Sequence, residues 1–378
     1  MKINLTRRWP LVLIMAALIV SASGCVGGAR TISWTGLTIQ DDQIYAADLQ
    51  HIQILMEENG EPVWAYPADP ENDSRGVFSA TPTLTEDYLI AASHTPQSGF
   101  FGQAQNTVWA IDLETRRDVW RFNQAKGQYI GGGAASESLF VIGNSDGNVY
   151  AVDIETGAEQ WRFETDHRVW ATPLIDGEIV YVGSMDRHLY ALRLSDGEEL
   201  WRFPAAGEEA RGAFAETPAL QDGVLYAGAF DHHLYAIDAE SGEEVWRFES
   251  QNWFWGSPAI DETTVYAVDV DGNVFALNIE TGEEEWHQPL EATVRGGPAL
   301  GADGSRLIVG SRDGTLYALD TSDGFVDWTA ENEGQILASP VVDEGAIYQT
   351  LVNGPYRIRA LQLEDGREAW AYPRVEEE

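Results

Sequence analysis

Apolar and polar residues alternate along most of this chain in short runs, and several runs are copies of one another: VYAVDIETGAEQWRF, LYALRLSDGEELWRF, LYAIDAESGEEVWRF and VFALNIETGEEEWHQ. Aligned on their tryptophan, the units number eight, at Trp64, Trp120, Trp161, Trp201, Trp246, Trp286, Trp328 and Trp370, with successive spacings of 56, 41, 40, 45, 40, 42 and 42 residues. The alternation within a unit predicts four short strands, exemplified by TPLID, IVYVGS, HLYALRL and ELWRF. Asp176-Gly177, Asp186-Arg187-His188 and Asp196-Gly197 lie between them and read as tight turns, where Asp and Gly accept the positive φ that such connections demand. Each unit is therefore an antiparallel meander.

A lone meander of this size cannot bury both faces of its sheet, so copies must stack face to face. The predicted fold is all-β, an eight-bladed propeller of four-stranded antiparallel blades over residues 32–378, with an open solenoid as the alternative arrangement. The recurrent tryptophan on each outer strand then packs between neighbouring blades, a burial worth roughly 2–3 kcal/mol apiece.

Strand order also sorts the loops onto two faces. Turns joining the first two and the last two strands share one face, which collects Asp176, Glu178, Asp196, Glu198, Glu199, Glu243, Glu244, Glu283, Glu284 and Asp365 and reads as a solvated acidic surface. The middle turns share the other face with the links between blades. Those links carry Arg75, Lys126, Arg168, Arg211 and Arg295 together with Phe78, Tyr129, Trp170, Phe214, Trp253, Phe254 and Trp255. Arginine and aromatic side chains are the usual anchors of protein interfaces. The predicted interaction face is thus Arg75, Arg168, Trp170, Arg211, Phe214, Trp253, Trp255 and Arg295, the alternative being rings packed on blade tops and arginines paired to local carboxylates. The fragments RGVFSATP and RGAFAETP place Arg75 and Arg211 equivalently. Two insertions, PADPENDS in a link and TPQSGFFGQAQN in a middle turn, fall on this same face, and the second adds Phe100 and Phe101 as exposed apolar contacts.

The N-terminus changes the setting. Lys2, Arg7 and Arg8 precede an apolar run from Leu11 to Val20 that is too short to cross a bilayer, and SASGC follows. Residues 1–24 are expected to be a lipoprotein signal peptide, and 25–31 a lipidated Cys25 with a short tether. The motif resembles a lipobox, with Ala22 where Leu is usual. Cys25 is the only cysteine, so the exported protein is expected to hold no disulfide. Removing the signal leaves 20 basic against 61 acidic residues, a net charge of −41, and Lys126 is the single lysine that remains. Such a surface repels nucleic acid and anionic lipid, which makes the lipid anchor the expected membrane contact.

The period, the count and the Ala-x-Asp-x-x-Thr-Gly-Glu-x-x-Trp pattern resemble the pyrroloquinoline quinone (PQQ) repeat family over residues 32 to about 373. Met56, Arg193 and Gln362 depart from the repeat Asp, and Thr115-Arg116 stands for Thr-Gly. A short eight-bladed lipoprotein without added domains looks most like the BamB type within that family. The resemblance implies a monomeric, non-catalytic envelope scaffold that contacts a β-barrel assembly component at the outer membrane. The family's quinone dehydrogenases hold PQQ with a calcium ion, commonly against a Trp and a disulfide of neighbouring cysteines. Trp170, Trp253 or Trp255 has the right shape to stack a flat cofactor, but no matching Glu, Asn and Asp set is found, and no cofactor is expected. A PQQ enzyme and a sugar- or peptide-binding propeller stand as alternatives. His188, His232 and His233 fall in equivalent turns of adjacent blades, and as exposed turn histidines they are not expected to hold a metal. No phosphate loop, nucleophile elbow or catalytic triad is found, so no catalytic residue is assigned.

Overall fold

The computed structural model describes residues 36–73, 75–95, 104–208 and 211–373, all within one compact unit, Ser33–Glu378. Cys25, Phe100 and Phe101 lie outside the described residues. Eight antiparallel sheets follow one another along the chain, each built from consecutive strands in sequence order. Blades 1 to 8 span 37–66, 77–122, 133–164, 174–203, 219–249, 259–289, 299–331 and 341–372. The fold is an all-β eight-bladed propeller. In blade 2 the innermost strand is split into Val77–Phe78 and Thr83–Leu84, both paired to Tyr88–Thr95. The insertion in that blade is only partly a loop, because the hairpin ladder runs on to the pair Thr95 and Gln105.

The repeat pattern has a local cause at each position. Asp112, Asp153 and Asp238 accept hydrogen bonds from both the backbone N–H and the hydroxyl of the residue three further on, Thr115, Thr156 and Ser241. These bonds hold the three carboxyls below the usual carboxylate range. The side chain thereby folds the turn, and a residue of positive φ follows it, as with Gly157, Gly197 and Gly242. The recurrent Ala lies directly opposite the tryptophan, as in Ala151 with Trp161 and Ala236 with Trp246. A register shift follows immediately in all eight blades and bends the outer strand.

Each junction between blades is fastened by an indole. Trp120, Trp161, Trp201, Trp246, Trp286 and Trp328 donate their ring N–H to the carbonyls of Ile154, Leu194, Ala239, Ile279, Thr321 and Leu363 in the following blade, at 2.7–3.2 Å. The glycine of the next blade's last turn sits flat on the same ring. A Cβ on Gly197 would lie 2.6 Å from the Trp161 ring, and one on Gly242 2.6 Å from Trp201. Trp64 differs because Arg116 (φ 58°) holds the glycine's place and lays its guanidinium 5.4 Å from the ring centre.

The ring closes by the same means. Trp370 of blade 8 donates to Glu57 O at 2.9 Å and lies beneath Gly60 of blade 1. Tyr348 bonds Glu57, Tyr372 bonds Gln53, and Arg357 pairs Asp48 at 3.2 Å. Leu37, Ile44 and Leu55 of blade 1 share one core cluster with Tyr348, Ile358 and Trp370 of blade 8. Blades 1 and 8 each draw four strands from one continuous segment, so closure rests on side chains and not on an exchanged strand.

Gly177 (φ 54°) and Gly197 (φ 72°) are both left-handed, but only Gly197 has a ring against it, Gly177 having nothing within 4 Å. Gly177→Ala therefore carries only the backbone cost, about 1 kcal/mol. Gly197→Ala adds displacement of Trp161 and is expected to cost at least about 2 kcal/mol more in urea unfolding. Equal costs would show that the glycine is not a seat for the indole.

Candidate functional site

The seven described links arrive at the hub in one register, which sorts their side chains. The residue that immediately precedes or opens each innermost strand is Pro82, Gly133, Pro173, Pro218, Pro258, Pro298 or Pro340. The fourth residue back from it is Phe78, Tyr129, Val169, Phe214, Phe254, Val294 or Ile336, and each is at most 2% exposed. Glycines at the ends of second strands make room for them: a Cβ on Gly183 would stand 2.7 Å from Phe214, and one on Gly228 2.6 Å from Phe254. The third residue back is buried where it is Ser79, Ala215 or Leu337, and not buried where it is Ile130, Trp170, Trp255 or Arg295.

This register corrects part of the expected interaction face. Phe214 packs edge-on to Phe203 with centroids 6.2 Å apart and closes on Tyr235 at 6.1 Å, so it belongs to the core between blades 4 and 5. Phe78, Tyr129 and Phe254 are core residues for the same reason. Arg75 is also committed internally: it pairs Asp73 at 2.9 Å and Asp118 at 2.6 Å and covers the Trp109 ring at 4.5 Å. Arg211 repeats that arrangement three blades on, reaching Glu244 at 3.4 Å across the Tyr235 ring. The two arginines are equivalent in position and act as clamps between a link and an outer strand.

What remains on the link face is an aromatic strip across blades 5 to 7. Trp253, 41% exposed, stacks on Phe230 of the blade 5 middle turn, with centroids 5.1 Å apart and planes 13° from parallel. Trp255 leans on the other side of the contact at 4.8 Å, and Arg295 of the next link lies 4.5 Å above the Trp255 ring. Burial and the neighbouring Arg312 charge hold the Arg295 guanidinium below its ordinary range. Among the described residues neither arginine is in an ion pair, in a chain with a large acidic excess. Arg168 lies over Trp170 at 6.0 Å, and Trp170 donates to Ser145. Phe230 has no distinct signal in the sequence, because it follows an ordinary strand at a position whose side chain varies from blade to blade, as Ser145, Met185, Val270 and Arg312.

A second feature lies on the axis. Gly36, Thr81, Trp170, Thr172, Glu216 and Ser339 are among the residues enclosing a hub cavity of about 180 Å³. The second residues back in the links are Ala80, Gly131, Ala171, Gly256, Gly296 and Ala338, with Glu216 as the one exception, and of these Gly131, Glu216, Gly296 and Ala338 line the cavity. Space dictates the small residues: a Cβ on Gly131 would stand 2.3 Å from Trp170 O, and one on Gly256 2.1 Å from Gly297 N. Glu216 keeps a partly accessible surface toward the cavity while protein surrounds it otherwise. Desolvation pushes its carboxyl up to about 8, and the Thr217 N–H offsets this only slightly.

The hub does not fit a PQQ and calcium pair. Among the described residues no group of three or more His, Cys, Asp and Glu is placed to hold a metal ion. The cavity lining holds one carboxyl and no Lys or Arg, which leaves a tricarboxylate without a counter-charge. His188 and His233 each lie beside their own turn aspartate, Asp186 at 3.4 Å and Asp231 at 3.6 Å.

Comparison with known proteins points one way. A family model described as outer membrane protein assembly factor BamB matches residues 104–231, 195–294 and 271–378. The outer membrane protein assembly factor BamB of Yersinia pestis is 38% identical over 69 residues, which is 18% of this chain and 17% of that protein. The crystal structure of BamB from Moraxella catarrhalis superposes with a TM-score of 0.71 at 20% identity, covering 86% of this chain and 96% of the other. The computationally designed Ika8 protein gives a TM-score of 0.70 at 15% identity, covering 87% and 96%. At these identities the two structures speak to fold.

Glu216 has a measurable signature. Unfolded, its carboxyl titrates near 4.5, and folded near 8, so between those values the native state holds the extra proton and stability falls as pH rises. Glu216→Gln is expected to remove that slope, gaining on the order of 2–4 kcal/mol over wild type at pH 9 relative to pH 5 in urea unfolding. Parallel pH profiles would contradict the burial of the carboxyl.

Proposed function

The chain belongs to the BamB family of PQQ-repeat propellers, and on that footing we propose that it is a non-catalytic protein-binding scaffold of the cell envelope, tethered through lipidated Cys25. Its role in this reading is to hold a component of the outer-membrane β-barrel assembly machinery. The observation that carries the proposal is the strip of Trp253, Phe230, Trp255 and Arg295. A tryptophan two-fifths exposed and stacked on a second ring is costly to leave in water, and protein interfaces are centred on such groups. Arg295 and Arg312 add positive charge to an otherwise acidic molecule, which favours a partner segment bearing carboxylates. Arg168 and Trp170 extend the same face toward blade 4. The short tether keeps the rim near the membrane where barrel substrates arrive, and two or more acyl chains on Cys25 suffice for stable anchoring.

The test is affinity purification of the anchored protein from its own membranes with mass spectrometry. Wild type is expected to retain a barrel-assembly component, and Trp253→Ala with Arg295→Glu is expected to reduce its recovery at least tenfold while the melting temperature holds, since each hot-spot side chain is worth about 2 kcal/mol. Undiminished recovery by the double variant would place the contact elsewhere.

A further inference from the structure

The hub cavity has a chemistry that the rim does not share. Three links bring Gly or Ala of this column to its wall, at Gly131, Gly296 and Ala338, and the space at Gly131 excludes even a Cβ. Blade 5 alone brings a carboxyl there, on Glu216. Burying an uncompensated carboxyl is costly, and a tight propeller hub gains nothing structural from it that alanine would not supply. Among the described residues that line the cavity there is no Lys or Arg to balance Glu216. The missing element is a positive charge.

The remaining lining says which kind. A calcium ion takes six to eight oxygen ligands, usually with several carboxylates, and the cavity lining has one carboxylate and no His or Cys for a zinc ion. A bare monovalent ion leaves most of about 180 Å³ unfilled against Ile130 and Leu337. An ammonium group brings three donors and a charge, and the Glu216 carboxyl is the acceptor in the lining that can match the charge. The Thr172 and Ser339 hydroxyls each accept one amide hydrogen, from Gly132 at 2.9 Å and Gly297 at 2.8 Å, and each keeps a second lone pair. The Trp170 indole and the apolar walls suit the alkyl part of such a ligand, with the ring face able to meet the positive end. We propose that the hub cavity is a binding site for a primary ammonium group carried on a short aliphatic arm, with Glu216 as its counter-charge. The arm belongs either to a free small amine or to a lysine side chain inserted along the axis. This site is independent of the rim strip and stands or falls without it.

Binding is coupled to a proton, because the carboxyl must ionise to meet the ammonium. Affinity therefore rises from pH 6 to pH 8.5, and a proton is released into the buffer.

Titration calorimetry with n-butylammonium chloride on the purified protein reads this directly, with Nα-acetyl-lysine amide as the side-chain source. Saturable one-to-one binding of either probe is expected, at least tenfold tighter at pH 8.5 than at pH 6. Binding of n-butylammonium alone assigns the site to a free amine, and binding of both assigns it to an arm that a polypeptide can present. Glu216→Gln is expected to weaken the binding at least tenfold. Glu216→Ala, which restores the residue type of the neighbouring links and so preserves the hub packing, is expected to do the same. Absence of binding by both probes, binding unchanged in either variant, or saturation by calcium or sodium in place of the amines would overturn the assignment.

Discussion

One contact repeats around the ring and the rest of the molecule depends on it: an indole from each outer strand lies in the following blade's last turn. There its N–H finds a backbone carbonyl that has no partner in its own ladder, as Trp161 finds Leu194 O at 2.8 Å. The same ring serves as the floor for a left-handed glycine, so polar satisfaction, apolar burial and turn geometry are met together. A meander that is unstable alone becomes a stable blade only when its neighbour supplies this ring. The seam from Trp370 to Glu57 and Gly60 has the same form, which makes the circle eight like junctions with one variant, Arg116 over Trp64.

Because the indoles hold the perimeter, the links are left with a different task. Their register buries the side chain four residues before each innermost strand opens, leaves Trp255 and Arg295 one position on unburied, and brings Glu216 to the axis. That register explains why Phe214 and Phe254 are lost to the core while Trp255 and Arg295 are presented, although all four look alike in composition. It also explains the split among arginines. Arg75 and Arg211 face carboxylates on outer strands and are consumed there, whereas Arg295 faces a ring and another arginine. The rim strip and the hub carboxyl are thus two products of one backbone pattern, occupied by atypical residues in blades 5 to 7.

Much of this was legible in the chain itself. Tryptophan spacing counts the blades, and Asp-Gly and Thr-Gly turns delimit their strands, because these signals act within a few residues of each other. Ring closure was not legible, since the acceptor of Trp370 lies 313 positions away and is a main-chain carbonyl without a side-chain signature. The burial of Phe214 was missed because an aromatic in a link is read by type when its direction is set by its register to the innermost strand. Glu216 is legible in the chain: aligning the seven described links shows Gly or Ala in its column in the other six. Thr95, Gln105 and Asn106 of the blade 2 insertion proved to be strand, since they continue a ladder that the Gly-rich centre disguises.

Hydrogen exchange followed by mass spectrometry on Trp370→Ala tests the indole-joined circle most directly. The account predicts that amides of residues 37–66 and 341–372 lose protection together, while blades 3 to 6 keep theirs, because only the closing seam has been unfastened. Protection unchanged in both terminal blades would mean that something other than the indole holds the ring shut.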